Sequence, residues 1–211
     1  MSRMTYLALS VALGVVTGCA PADSTPAATA TMSDTMEPDL RTAMRTLWAD
    51  HVIWTRGFIV AAVNDDPSAQ TALARLLRNQ EDIGNAIVPF YGAAAGGRLT
   101  ELLKEHITIA GELVTAAKAG NAVAQADADR RWHTNAGDIA TFLSGANPHW
   151  PRADLVSMLD SHLALTTQAA VARLQRDWDG DVAAFDRIFA QAMEMADALT
   201  AGIKAQFPGR A

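Results

Sequence analysis

Three histidines recur at a nearly constant spacing along this chain of 211 residues, and their side chains are the best suited to chemistry. They are His51, His106 and His162, and the two intervals between them differ by a single position. Each follows a polar or acidic residue and precedes an apolar run. An imidazole can bind a transition metal, exchange a proton near neutral pH or form a buried hydrogen bond. The spacing therefore predicts that the three histidines share one structural position.

Four further sets of residues repeat about midway between the histidines, and all four have the same period. They are Arg75, Arg131 and Arg187; Asn79, Asn135 and Gln191; Asp82, Asp138 and Glu194; and Ile83, Ile139 and Met195. A repeat of about 56 residues matches one helical hairpin, which is too small to bury its own apolar face. Stacking three of them would form a common core. We therefore predict an all-α fold, a six-helix bundle built from three repeated hairpins.

The apolar pattern agrees with helices throughout the predicted domain. Apolar residues recur three or four positions apart, the histidines lie on these stripes, and no segment alternates as a strand would. Glycine- and proline-rich joints place the hairpins at residues 38–92, 97–145 and 151–207, inside a domain spanning residues 38–208. Within the third hairpin, the turn is predicted at residues 177–181.

Each residue's height in a hairpin can be counted from the predicted turn, at a rise of about 1.5 Å per residue. This count places every histidine near the level of an amide side chain on the facing helix. The pairs are His51 with Asn79, His106 with Asn135, and His162 with Gln191. The third pair matches less well, by several residues. If the hairpins pack side by side, the three histidines form one polar layer. Four more polar side chains are predicted at or beside this layer: Asp82, Asp138, Glu194 and His133.

Two interpretations of the layer stay open. In the structural one, each histidine bonds the facing amide or an acid and so fixes how the hairpins align. In the other, the imidazoles and carboxylates bind a transition metal, such as zinc, copper or iron, or another small ligand. The chain lacks Glu-x-x-His, His-Glu-x-x-His and Cys-x-x-Cys-His motifs. No motif therefore requires a cofactor, and none identifies a metal.

Charge and motifs exclude several other classes of function. The formal net charge is −6 and basic residues do not cluster, which argues against nucleic-acid binding. The chain has neither a nucleophile elbow nor a phosphate-binding glycine loop after a strand, so we predict a domain that is not an enzyme. Trp150 follows His149 in a proline-bounded loop, and we expect it to be an exposed aromatic contact for a protein partner.

The first residues resemble a bacterial lipoprotein signal peptide. A cationic start and an apolar run at residues 6–16 lead into Val-Thr-Gly-Cys, which is similar to a lipobox ending at Cys19. The resemblance implies cleavage after residue 18, lipidation of Cys19 and attachment to a membrane. Ala20 follows this cysteine where an inner-membrane retention signal has aspartate, which implies the outer membrane, facing the periplasm, in a Gram-negative host. Residues 19–37 are rich in Ala, Pro, Ser and Thr and are predicted to be a flexible tether.

The predicted domain also resembles a family of small all-helical bacterial proteins of unsettled function. The resemblance rests on Arg-Asn-Gln-Glu-Asp-Ile-Gly at residues 78–84, Ala-Asn-Pro-His-Trp at 146–150 and His-Leu-Ala-Leu-Thr-Thr at 162–167. It covers about residues 47–208 and implies no catalytic assignment. The sequence therefore predicts a cell-envelope lipoprotein with a non-enzymatic binding or interaction domain. The alternative is metal or small-ligand binding through the polar layer.

Overall fold

A computed structural model describes residues 39–210, and within them the chain is helical with no strand. The helical runs are α1 (Leu40–Val63), α2 (Ala69–Lys118), α3 (Ala122–Ala146), α4 (Arg152–Gln175) and α5 (Trp178–Gln206). Because α2 bends at Gly92 into two helices, residues 69–91 and 93–118, this part of the chain holds six helices. The all-α, six-helix prediction is confirmed, while the repetition of one hairpin unit stays a prediction. The signal peptide, Cys19 and the tether lie outside the described residues.

Short polar side chains set the helix starts. The Asp39 carboxylate accepts hydrogen bonds from the backbone N–H groups of Arg41 and Thr42 at 2.9 and 3.2 Å, which caps α1. Asn121 caps α3 in the same way, through Ala124 N–H at 3.1 Å. These contacts satisfy N–H groups that the first helical turn leaves without partners.

The turn of the third hairpin lies earlier than the sequence predicts. Arg176 ends α4 in the left-handed conformation (φ 60°), and the Asp177 side chain already caps α5 by accepting from Gly180 N–H at 3.0 Å. Residues 178–181 are therefore helical. His162 precedes Arg176 by the same number of positions as Gln191 follows Asp177, so the two are level after all.

The bend in α2 depends on glycine at three positions. Gly92 has φ 83° and ψ 166°, a region that residues with a Cβ avoid. Pro89 lacks a backbone N–H and so weakens the turn before the bend. A Cβ on Gly84 would lie 2.0 Å from Thr100 Oγ1 and 2.7 Å from the carbonyl oxygen of Gly96. The two halves of α2 therefore cross in backbone contact, which a larger side chain would prevent.

The main core runs through all of these helices. α1 packs against α2 and α5, while α3 packs against the second half of α2 and against α4, which closes the bundle. The largest fully buried apolar side chains come from α1, α2, α4 and α5: Met44, Val52, Leu76, Ile83, Leu102, Leu163 and Ile203. No helix within residues 39–210 combines the length and the apolar character that a membrane span requires.

The prediction that Trp150 is an exposed contact is wrong, because its side chain is 5% exposed. Asn147 Oδ1 accepts from His149 N–H at 2.8 Å, and Asn147 Nδ2 donates to Tyr91 Oη at 2.8 Å. These bonds fold the loop onto the bundle. Trp150 then packs against Gly202, where a Cβ would lie 2.0 Å from the indole nitrogen. The missing side chain at Gly202 makes room for the indole.

Replacing Gly92 tests whether the bend is built into the backbone. We expect Gly92→Ala to lower the free energy of unfolding by roughly 1–3 kcal/mol, because alanine is strained at positive φ. Gly97→Ala is the matched control, since its Cβ meets nothing within 4 Å in a helical position. That change should stabilise the protein by about 0.5–1 kcal/mol. Urea unfolding measures both, and equal effects at the two sites would contradict a strained bend.

Candidate functional site

The three repeated histidines lie together in the interior. His51, His106 and His162 are 4%, 5% and 4% exposed, and the rings of His51 and His162 are 5.7 Å apart. The His51 ring also meets the Trp48 ring edge-on at 5.5 Å, and the His106 ring lies 5.2 Å from the ring of Trp132. Since α1, the second half of α2 and α4 each contribute one histidine, the layer joins all three pairs of adjacent helices.

In the second pair of helices, one amide side chain bonds both a histidine ring and a backbone carbonyl. His106 Nδ1 lies 2.8 Å from Asn135 Oδ1, and Asn135 Nδ2 donates to the backbone oxygen of Leu102 at 3.1 Å. Because the amide nitrogen donates to a carbonyl, its oxygen must accept from the ring. Neutral His106 therefore carries its proton on Nδ1. The amide ties the imidazole to the backbone one helical turn before it.

The third pair of helices repeats this arrangement. His162 Nδ1 lies 3.2 Å from Gln191 Oε1, and Gln191 Nε2 donates to the backbone oxygen of Met158 at 3.0 Å. The ring and its amide are 29 residues apart here, as they are for His106 and Asn135. The carbonyl again belongs to the residue four positions before the histidine. The same proton position, Nδ1, follows for His162.

In the first pair of helices, two different amides contact the backbone carbonyl and the histidine ring. Asn79 Nδ2 donates to the backbone oxygen of Leu47 at 3.0 Å, whereas Gln80 Nε2 lies 3.2 Å from His51 Nδ1. Gln80 Nε2 also donates to the Leu76 carbonyl at 2.8 Å and to Asn79 Oδ1 at 3.1 Å, so it is the amide nitrogen of Gln80 that faces the His51 ring. Gln80 is fully buried. Sequence analysis did not select it as a partner of the imidazole, although it lies the same 29 residues from its histidine as the other two amides.

Four residues that the sequence places at or near the layer lie outside it. Asp82, Asp138, Glu194 and His133 are exposed. Each acid comes three residues after an inward amide, which turns it about 60° towards the flank. His133 precedes Asn135 by two residues and lies on the opposite side of α3, where its Nδ1 bonds the Asp129 backbone oxygen at 3.0 Å. The buried layer therefore consists of three imidazoles and four amides.

Burial keeps these imidazoles neutral. Loss of solvation, together with a smaller effect of the neighbouring imidazoles, lowers the pKa of His51 and that of His106 to about 3. Burial also lowers the pKa of His162, whereas its bond to Gln191 acts in the opposite direction. All three rings are consequently uncharged near neutral pH. In each ring Nδ1 faces a side-chain amide and not a carboxylate.

This geometry does not favour a transition metal. Within residues 39–210, no three His, Cys, Asp or Glu side chains are grouped so that they could hold a metal ion. The hydrogen bonds of the three rings run through Nδ1 to amides, and the repeated acids point outward. What the layer can do chemically is fix the register of the helices.

An apolar cavity of about 410 Å³ begins one turn beyond the layer and opens to solvent. Its inner wall includes Thr55, Ala110 and Thr166, each four residues, or about 6 Å of helix, after one of the histidines. Most other lining side chains are apolar: Phe58, Ile59, Leu76, Ile107, Leu113, Val114, Ala117, Ala122, Ala126, Trp132, Ala170, Val171 and Leu174. Sequence analysis did not identify this cavity.

The first turns of α3 form one wall of the cavity. Residues 121–127 are all exposed, and continuous packing of α3 against its neighbours begins at Ala128. Small side chains on this wall, Ala122 and Ala126, cannot reach across to α1 and α4. The gap between these helices therefore stays open at the end of the bundle. Neither a protein-family model, nor a curated protein, nor a solved structure matches the chain.

Acidification tests whether the layer is buried and neutral. The unfolded state takes up protons below about pH 6.5, the ordinary histidine pKa, whereas the folded His51 and His106 resist protonation down to about pH 3. Folding stability should therefore not change above about pH 6.5 and should fall as the pH drops below it, with a slope that approaches about 1.4 kcal/mol per pH unit for each of these two histidines. Urea unfolding between pH 6.5 and pH 5 measures this slope before most carboxylates titrate.

Single histidine variants identify the source of that slope. His106→Leu removes one buried titrating group and should make the slope shallower by about 1.4 kcal/mol per pH unit. His133→Leu is the matched control, because this side chain is half exposed and lies outside the layer. A slope that changes equally in both variants, or in neither, would contradict a buried neutral layer.

Proposed function

We propose that this chain is a lipoprotein of the cell envelope whose helical domain binds a small apolar ligand and is not an enzyme. The observation that carries the proposal is the 410 Å³ cavity, whose volume lies in the range of small-molecule sites. Its walls are mainly aliphatic with a few polar groups, as such sites usually are. Burying a ligand there would remove apolar surface from water on both sides, at roughly 25 cal/mol for each Å².

The polar layer serves this site structurally in our proposal. The histidines and amides align the helices, and the alignment brings the next turn of three helices to one level at the inner wall. Metal binding through the layer takes second place, because no three His, Cys, Asp or Glu side chains among the described residues are grouped so that they could hold a metal ion. In this proposal the protein binds an apolar ligand in a cavity that lies one helical turn from the histidines.

We also propose that the three helical hairpins are copies of one repeating unit. The support is the recurring amide bridge from a histidine to the carbonyl one turn before it. A second recurrence lies on the surface, where Arg131 bonds Glu112 and Arg187 bonds Gln168, each partner 19 residues back. The first unit departs from the pattern, because Arg75 bonds Asp50 at 2.7 Å.

Location in the envelope rests on the sequence of the first residues. The lipobox-like end at Cys19 and the tether at residues 19–37 would hold the domain near a membrane surface. In a Gram-negative host, Ala20 favours the outer membrane, with the domain in the periplasm. A position beside a lipid bilayer is consistent with an apolar ligand, since such molecules partition into the bilayer.

Binding of an uncharged aromatic probe tests the cavity. We expect N-phenyl-1-naphthylamine to bind with enhanced fluorescence and a stoichiometry near one. Ala170→Phe should weaken binding at least tenfold, because Ala170 lines the cavity and the added ring fills part of it. Ala183→Phe, an exposed site on α5 away from the cavity, is the control for an added ring. Unchanged affinity in Ala170→Phe, with circular dichroism showing intact folding, would contradict the assignment.

Lipid attachment has its own test. Cells that express the natural chain should incorporate a labelled fatty acid into it and should carry it in the membrane fraction. Cys19→Ser removes the thiol and should abolish labelling and release the protein from the membrane. Labelling that survives in the Cys19→Ser chain, or full membrane retention of that chain, would contradict the lipid anchor.

A further inference from the structure

We infer that the ligand is an amphiphile with a hydrogen-bond-donating head, best a primary ammonium group, and with an uncharged apolar body. This inference rests on the proposed function and concerns the same cavity. It comes from the two inner threonines, whose hydroxyl oxygens are placed to accept hydrogen bonds, and from the sign of the charge at the site.

The two inner threonines have already used their protons. Thr55 Oγ1 donates to the backbone oxygen of His51 at 2.7 Å, and Thr166 Oγ1 donates to that of His162 at 2.8 Å. A hydroxyl has a single proton, so each of these oxygens offers only lone pairs to a ligand. The Trp132 indole nitrogen, a donor without a partner among the described residues, is shielded from solvent and so from a cavity-bound ligand. Gln125 and Thr167, which also line the cavity, are exposed and carry donors as well as acceptors. At the inner wall, however, the two accepting hydroxyl oxygens favour a donating ligand.

The charge at the cavity has one sign. Among the described lining residues Asp129 is the only charged one, and its side chain is about half exposed. The nearby arginines, Arg130 and Arg131, are bonded to Asp127, and Arg131 also bonds Glu112. His133 Nδ1 lies 3.7 Å from the Asp129 carboxylate. A ligand with an anionic head would meet a like charge and no lysine or arginine in this wall, whereas an ammonium group would pair with Asp129.

Volume bounds the size of the apolar body. A closed apolar cavity of about 150 Å³ holds one benzene molecule. By proportion, the 410 Å³ found here accommodates roughly sixteen non-hydrogen atoms. A ten-carbon chain with one polar head fits within this limit. Decylamine, decanol and decanoate therefore form a matched set that differs mainly in the head group.

Displacement of the bound naphthylamine probe by these three compounds tests the inference. At mildly alkaline pH and low salt, below micelle-forming concentrations, we expect decylamine to bind about fivefold more tightly than decanol. Decanoate should bind more weakly than decanol by a similar factor. High salt should reduce both differences, because salt screens charges at an exposed site.

Two variants separate a local pair from the overall negative charge. Asp129→Asn should bring decylamine and decanol to within about twofold of each other. Asp186→Asn removes the same charge from an exposed position on α5 and should leave the preference intact. Circular dichroism of both variants verifies that they fold.

Each outcome bears on one proposal. Equal displacement by the three compounds, a preference for decanoate, or an equal loss of preference in Asp129→Asn and Asp186→Asn would overturn the head-group inference and leave the apolar site standing. If the neutral probe does not bind the natural chain, the proposed function itself fails, whatever the head group.

Discussion

The hydrogen bond between a buried imidazole and a side-chain amide on the facing helix is the interaction on which the rest of the structure depends. A buried polar group without its partner costs roughly 1–3 kcal/mol, so each bond strongly favours one alignment. In two pairs of helices the same amide also holds a backbone carbonyl one turn before the histidine. Sliding one helix by a residue would break both bonds at once. An apolar pair would tolerate such a slip far better.

That alignment determines where the cavity lies. With the histidines level, Thr55, Ala110 and Thr166 are level one turn further on, at the inner wall of the cavity. The alanine-rich start of α3 makes few contacts and leaves its neighbours' apolar walls open. Such walls forgo stabilisation that a filled core would provide, which is typical of a preformed ligand site. In the proposed function, the polar layer keeps the helices aligned and the open end of the bundle gives a ligand access to the cavity.

The sequence predicts the helices well because period, caps and glycine joints are local signals. It misplaces the third turn, since Asp177 caps a helix within a run that resembles a loop. It misses Gln80 because the constant period of the repeat selects Asn79. The first two histidines, however, lie one position closer together than the second and third, and counting from the histidine instead of along the repeat leads to Gln80. His133 is exposed because it lies on the opposite side of α3 from Asn135. The prediction used only height along the helix axis, which does not distinguish the two sides of a helix. The cavity and the inward fold of Trp150 depend on how helices splay and where glycine leaves room, which no local pattern encodes.

The protonation state of the three rings connects the layer to its role most directly, and nitrogen NMR of histidine-labelled protein reads it. Partner atoms place the proton on Nδ1 in His106 and His162. We therefore expect neutral rings protonated on Nδ1 in His106 and His162 at neutral pH. His51 and His106 should stay neutral down to about pH 5, and none of the three rings should change on addition of Zn²⁺. Rings that titrate near pH 6.5, or ring-nitrogen signals that shift with stoichiometric Zn²⁺, would contradict a structural layer held by amides.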